Sequence, residues 1–343
     1  MNAIRSAAKL FFGFILILIP IELVLRFLPV MYPTELTAGI GVGEAAKHQP
    51  GSKFVYSRDW DLLNWRTGSI GPEGFHGHCR LPSDSQASIH ITGDSYTEAI
   101  MLEPADSLGN QLQLKMPDEA VCAAGMSGAA ASEFLSQRDE LFRLSKAHTW
   151  VIVLSRSDFI ESFSGRDGLA RFSTMANSSE LVGRSYAPPR ALDTLFASAL
   201  FRYVNYNLNA KVTFERFWCV LSLKRCAGSS TQITGEERIS PMEEIAVAKF
   251  IDGIDRRAKP NGVRVIVLCN DTQKYKGERV EDFKFWSDTM ARLQQHGYSA
   301  IRVSELLNEA SCARAPCFLF RDGHWSANGH RIIAERLFLS LVR

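Results

Sequence analysis

The stretch "ASIHITGDSYTEA", residues 87–99, decides the fold. Its first half alternates Ile89 and Ile91 with His90 and Thr92, the period-two pattern of a strand, and Gly93 stops that run. Asp94 and Ser95 follow at once, where a chain leaving a strand turns toward a helix. In an open α/β sheet that position lies at the carboxyl edge, where such sheets hold their ligands.

The downstream chain supplies the rest of such a sheet. "AVCAAG" (120–125) reads as a second short strand ending in "GMSG", and "TWVIVLS" (149–155) and "VRVIVLC" (263–269) are continuous apolar runs that suit strands buried on both faces. Between them lie amphipathic segments. "SEFLSQRDELFRL" (132–144) turns Phe134, Leu135, Leu141 and Leu144 to one side, and Phe283, Trp286, Met290 and Leu293 do the same in 281–297. Ser240, Pro241 and Glu243 spell a capped helix start, followed by the stripe Val247, Phe250, Ile251 and Ile254 and a stop at "KPNG". "SAIR" opens a last short strand and "NGHRIIAERLFLSLV" (328–342) a closing helix. Strands alternating with helices predict a flavodoxin-like, doubly wound, mostly parallel α/β sheet over 87–343, interrupted by an insertion at about 163–238 in which "FRYVNYNLNAKVTFERFW" reads as helical.

Upstream, "LFFGFILILIPIELVLRFLPVM" (10–31) approaches the ~20 apolar residues of a bilayer-spanning helix. Glu22 and Arg26 interrupt it at a spacing that lets them pair on one face. Arg5 and Lys9 precede the run, so the charge bias puts residues 1–9 in the cytoplasm and the body of the protein outside it. The expected organisation is therefore a transmembrane anchor at 10–31, a Pro- and Gly-rich stalk and irregular lead-in over 32–86, and the α/β domain, facing the periplasm or exterior of an inner membrane. An uncleaved anchor is preferred to a signal peptide because no small-residue cleavage site directly follows the apolar run. Seven cysteines suit an oxidising compartment, with Cys219 and Cys226, and Cys312 and Cys317, spaced to close small loops, and Cys269 as a buried free thiol. A net charge of +2 with no basic block excludes a nucleic-acid surface.

Near the other end stands "RDGHWSANGH" (321–330). Asp322 and His324 are two apart, so in an extended segment they face the same side. A serine hydroxyl becomes a nucleophile when a base takes its proton and a third group orients that base. His324 and Asp322 fit those roles toward Ser95, since the loops after the first and last strands of a doubly wound sheet share an edge. Asp94 reads as a structural acceptor around the turn, His90 as a core histidine, and His330 as a surface or capping residue. "FHGHC" (75–79) places His76, His78 and Cys79 close together, but with no fourth ligand it is a poor metal site, and no metal or cofactor is expected.

On "GDSY", "GMSG" and "RDGHWSANGH" the chain resembles the SGNH/GDSL hydrolase family over roughly residues 65–343. The resemblance implies that Ser95 is the nucleophile and that the backbone N–H groups of Ser95 and Gly128 bind an oxyanion, with Asp322 and His324 completing the last block. "GFHG" with Asn64 upstream, and "IELVLRF" in the anchor, are similar to membrane-anchored members. Where the family's third block carries an asparagine as a further oxyanion donor, "VLSRSDF" has Ser157; "VLCND" copies the block's spelling at Asn270, after a later strand. The two-apart spacing in "DGHW" resembles the branch of polysaccharide O-acetyltransferases and acetylesterases. The implied activity is that of a serine esterase or O-acyltransferase on acyl, above all acetyl, esters of an exported carbohydrate, with a membrane-embedded acyl supplier as a partner. Two other readings stand beside it: a non-catalytic carbohydrate-binding scaffold of envelope polysaccharide assembly, and a lipid-directed hydrolase.

Overall fold

The computed structural model describes residues 2–34, 36–37, 45–77, 79, 88–164, 169–174, 180–183, 195–209, 239–275, 278–281 and 283–342. The runs read as strands form one five-stranded sheet: β1 (Ser88–Gly93), β2 (Ala120–Gly125), β3 (Thr149–Ser155), β4 (Arg264–Asn270) and β5 (Ser299–Arg302), in the order β5-β4-β3-β1-β2. Every neighbouring pair is parallel. The chain thus starts in the interior of the sheet, steps to one side, then crosses back and winds outward. That reversal makes the carboxyl ends of β1 and its neighbours the place where loops diverge and a site can form.

Alternation along each buried strand divides the core into two layers. Trp150, Ile152 and Leu154 of β3 pack with Phe134 and Leu135 of α3 (Ala131–Leu144), Phe159 of α4 (Arg156–Ser164), Phe250 and Ile254 of α5 (Pro241–Ala258), and Trp286 and Leu293 of α6 (Phe283–Gln295). Val151 and Val153 face the other way, onto Leu108 and Leu112 of α2 (Leu108–Lys115) and Ile333 and Leu337 of α7 (Ala327–Leu341). The α5 start is the capping box that its sequence spells: the Ser240 hydroxyl accepts from the Glu243 N–H, and the Glu243 carboxylate accepts from the Ser240 N–H. His90 is a core histidine, as expected. Arg138 donates to its Nδ1 at 2.8 Å, and its Nε2 lies 2.8 Å from the Ser145 hydroxyl. Burial, then the Arg138 charge, hold its pKa down at about 3, so the ring is neutral and can accept from the guanidinium.

By compactness the chain divides into two units, one of residues 1–33, 53–68 and 188–233, the other of 34–52, 69–187 and 234–343. The sheet belongs to the second. The first contains the helix Asn2–Leu25 and, but for Ser69, the pair of strands Lys53–Arg58 and Leu63–Ser69, which the Pro- and Gly-rich lead-in did not announce.

The apolar run at 10–31 is helical over most of its length, within the helix Asn2–Leu25. The helix ends at Leu25 and carries Pro20 inside it, and among the described residues no helix is long and apolar enough to cross a membrane. The Glu22 carboxylate accepts from the Ser198 hydroxyl and from the Ala199 and Leu200 N–H groups as well as from Arg26.

Two disulfides are described. Cys312–Cys317 is the small loop anticipated from spacing; Cys79–Cys122 ties "FHGHC" to β2 and was not foreseen. Cys269 is free and buried, as expected. Cys219 and Cys226 lie outside the described residues, as does 210–218 of the segment read as helical. Of that segment, 201–209 is described: 201–207 falls within the short helix Ala199–Arg202 and the π-helical turn Tyr203–Asn207, and 208–209 lie beyond them.

Candidate active site

Ser95 opens α1 (Ser95–Glu98), a single helical turn directly after β1. Asp94 caps that turn, its carboxylate accepting from the Tyr96 N–H at 2.9 Å, which is the structural part foreseen for it. Burial drives the Asp94 carboxyl up to about 6. Asp158 is buried nearby and is likewise pushed up, by burial and then by the charge of Asp94; it accepts the Ser155 N–H at 2.7 Å.

Asp322 and His324 sit on a tight loop before α7. Phe318 and Trp325 bridge its base, the Leu319 N–H donates to the His324 carbonyl at 2.8 Å, and the turn passes through left-handed Arg321 (φ 57) and Gly323 (φ 85). Glycine serves there because it has no Cβ to clash at positive φ. The loop aims the imidazole at Ser95. His324 Nε2 lies 2.8 Å from the Ser95 hydroxyl, and His324 Nδ1 lies 2.6 Å from an oxygen of Asp322, whose side chain is 0% exposed. A carboxylate can only accept, so Nδ1 carries the proton and Nε2 is left to accept from the serine hydroxyl. Hydroxyl, imidazole and carboxylate, separated by more than two hundred residues of chain, form one hydrogen-bonded line.

Tyr96 holds this loop against the core. Its ring centroid lies 4.9 Å from that of His324 and 4.8 Å from that of Trp325, and its hydroxyl donates to the Gly323 carbonyl at 3.3 Å. Neither Tyr96 nor Glu98 was singled out from sequence. Trp325 is fully buried and serves as packing.

The second loop is level with the first because Gly93 pairs with Gly125 in register and the Met126 N–H donates to the Gly93 carbonyl at 3.2 Å. Gly128 is exposed with φ +79 on this loop. Gly125 is required by closeness: a Cβ there would lie 2.0 Å from the Glu98 nitrogen. Gly125→Ala is expected to lower stability by about 1–3 kcal/mol, the usual range for overpacking, read as a lower urea midpoint at unchanged slope.

Ser157 lies half-buried in the first turn of α4, just beyond the end of β3. Asn270, its rival in spelling, is buried at the end of β4, paired with Ser155; its side-chain NH2 donates to the Ser155 hydroxyl at 3.2 Å and interacts with the Tyr96 hydroxyl. That amide braces the strand ends.

His330 corrects an expectation. It is fully buried under Trp325, ring centroids 5.5 Å apart, with neither ring nitrogen hydrogen-bonded among the described residues. Burial, then the His324 charge, lower its pKa from 6.5 to about 3. Between those values the folded state binds fewer protons than the unfolded one, so the stability His330 contributes is complete above pH 6.5 and is lost as pH falls toward 3. Relative to His330→Leu, the parent chain should lose roughly 1.4 kcal/mol per pH unit below that point, measurable by urea unfolding at pH 7, 6 and 5.

A cleft of about 470 Å³ is lined by residues of the first unit, among them Leu18, Glu22 and Ser198, and by none of Ser95, Gly128, Ser157, Asp322 and His324.

Neither a family model nor a curated protein matches the chain. Among solved structures it is similar to a member of the lipolytic protein G-D-S-L family from Veillonella parvula, at 11% identity over 75% of this chain and 99% of that one, with a TM-score of 0.42. A lipolytic G-D-S-L family protein from Desulfitobacterium hafniense matches at 12% identity over 75% and 100%, TM-score 0.42. An acetylxylan esterase from Geobacillus stearothermophilus matches at 11% identity over 76% and 96%, TM-score 0.41.

Proposed function

We propose that the chain is a serine esterase or O-acyltransferase that works through an acyl-enzyme on Ser95. The observation that carries this reading is the line from Asp322 through His324 to Ser95, at 2.6 and 2.8 Å. The Ser95 oxygen attacks the ester carbonyl carbon while its proton passes to His324 Nε2, and Asp322 balances the imidazolium. Charge collects on the carbonyl oxygen, where the N–H groups of Ser95 and Gly128, with the Ser157 hydroxyl, act as donors. The C–O bond to the leaving alkoxide then breaks, and His324 returns the proton to that alkoxide. A second hydroxyl, from water or from a sugar, repeats the sequence in reverse and frees the serine.

The substrate class rests on the resemblance of "DGHW" to the branch that handles acetyl groups on exported polysaccharides. The disulfides Cys79–Cys122 and Cys312–Cys317 favour an oxidising compartment outside the cytosol, periplasmic or extracellular, where such a polymer and a membrane-embedded acyl supplier would meet it.

The test is covalent labelling by a fluorophosphonate probe, followed by an assay with an acetyl donor and an oligosaccharide acceptor. Labelling of the parent chain that vanishes in Ser95→Ala supports the reading; a folded parent chain that takes no label favours the carbohydrate-binding scaffold. Free acetate identifies an esterase, and acetylated sugar a transferase.

A further inference from the structure

Glu98 ends α1 with a side chain that is 1% exposed, and both of its carboxylate oxygens are engaged. One lies 2.6 Å from His48 Nε2; the other accepts the Ser127 N–H at 2.8 Å and also the Ser127 hydroxyl. The Glu98 backbone carbonyl lies 2.9 Å from His76 Nδ1, and the His48 N–H donates to the Gly74 carbonyl at 2.9 Å. Burial alone would raise the Glu98 carboxyl, but the bonds from His48 and Ser127 outweigh it and lower the pKa to about 2, so it is ionised at neutral pH.

Ser127 immediately precedes Gly128. With its N–H and its hydroxyl anchored on one buried carboxylate, Ser127 has little freedom in φ or χ1. The direction of the next N–H, that of Gly128, is set largely by that anchorage. The same turn also crowds Gly125 from below, through the Glu98 nitrogen. Glu98 therefore touches the oxyanion loop at its start and at its tip, while being within three residues of Ser95 on a single turn. An oxyanion donor contributes most when it is already aimed at the developing charge.

We propose that Glu98, oriented by His48, is a positioning residue that fixes the Gly128 backbone N–H as an oxyanion donor. This rests on Ser95 being the nucleophile. A buried carboxylate with a merely structural part would affect stability without a selective effect on turnover, so the two roles separate in experiment.

Glu98→Ala, Glu98→Gln and Ser127→Ala are compared with the parent chain for kcat and KM on an acetyl ester and for amide hydrogen exchange along the backbone. Glu98→Ala is expected to lower kcat about 10- to 100-fold with KM within about threefold, a partial loss of one donor's effect. Exchange should speed up at 125–128 and not in β1 or β3. Glu98→Gln, which keeps an acceptor for Ser127, should recover most of both signals. Should Glu98→Ala fail to fold, Ser127→Ala, which leaves the backbone bond in place, carries the test with a loss of about three- to tenfold. A folded Glu98→Ala chain with parental kcat, or exchange that rises across the whole sheet alike, overturns the proposal. If the parent chain hydrolyses no ester, that failure belongs to the hydrolase reading, and unchanged exchange at 125–128 still overturns the claim that Glu98 holds the loop.

Discussion

A His324→Ala chain is expected to turn over an activated acetyl ester about four to six orders of magnitude more slowly than the parent, at similar unfolding midpoint. The size follows from what the ring does. In the proposed mechanism the ring, 2.8 Å from the Ser95 hydroxyl, is the base, and without it attack must proceed from a neutral alcohol. Residual rate over water would come from the backbone donors alone. Asp322→Asn should cost about 10⁴-fold by a different route: an amide can donate to Nδ1, which would leave Nε2 protonated and unable to accept from the serine. Measured kcat within tenfold of the parent in either folded variant would remove the proposed chemistry from these residues.

The second large effect concerns stability. Breaking Cys79–Cys122, for example in a Cys79→Ala/Cys122→Ala chain, is expected to cost about 4 kcal/mol, the chain-entropy value for a bridge of this span. The two cysteines are 43 positions apart, and Cys122 is buried at 1% exposure in β2, where it packs with Phe75, Ala124 and Leu141. Alanine is chosen because a serine hydroxyl there would be buried with no assured partner. Urea unfolding of parent and variant without a reductant, so that Cys312–Cys317 stays closed in both, measures it; a loss below about 1 kcal/mol would show that the bridge closes a loop already held by other contacts. The effect would be felt at the site, since the stretch that leads into Cys79 carries Gly74 and His76, which meet His48 and the Glu98 carbonyl.

Much of the sheet was legible because its signals are local. β1 to β4 are short apolar runs ended by glycine or by polar residues, and the α5 start is a capping box whose parts lie within four residues of one another. Ser95, Asp322 and His324 were legible as a pairing of motifs for the same reason: each stands in a compact phrase beside a strand end or a turn glycine. The partners of Glu22 were not legible, because hydropathy counts the composition of a segment and not what it meets; three donors lie some 176 positions away, at Ser198, Ala199 and Leu200. His330 misled similarly, since a histidine at a helix start reads as exposed until Trp325 is seen to cover it.

What the amino-acid order determined unaided is the α/β alternation, the strand order's raw material and the residue types gathered at the strand ends, since hydrophobic period, caps and turns act over a few neighbouring positions. Only the tertiary structure decided that Cys79 bonds Cys122, that Asn270 braces Ser155, and that Glu98 joins His48 to Ser127. Those contacts depend on which strands lie side by side and at what register, a property of the packed sheet that no stretch of chain contains by itself.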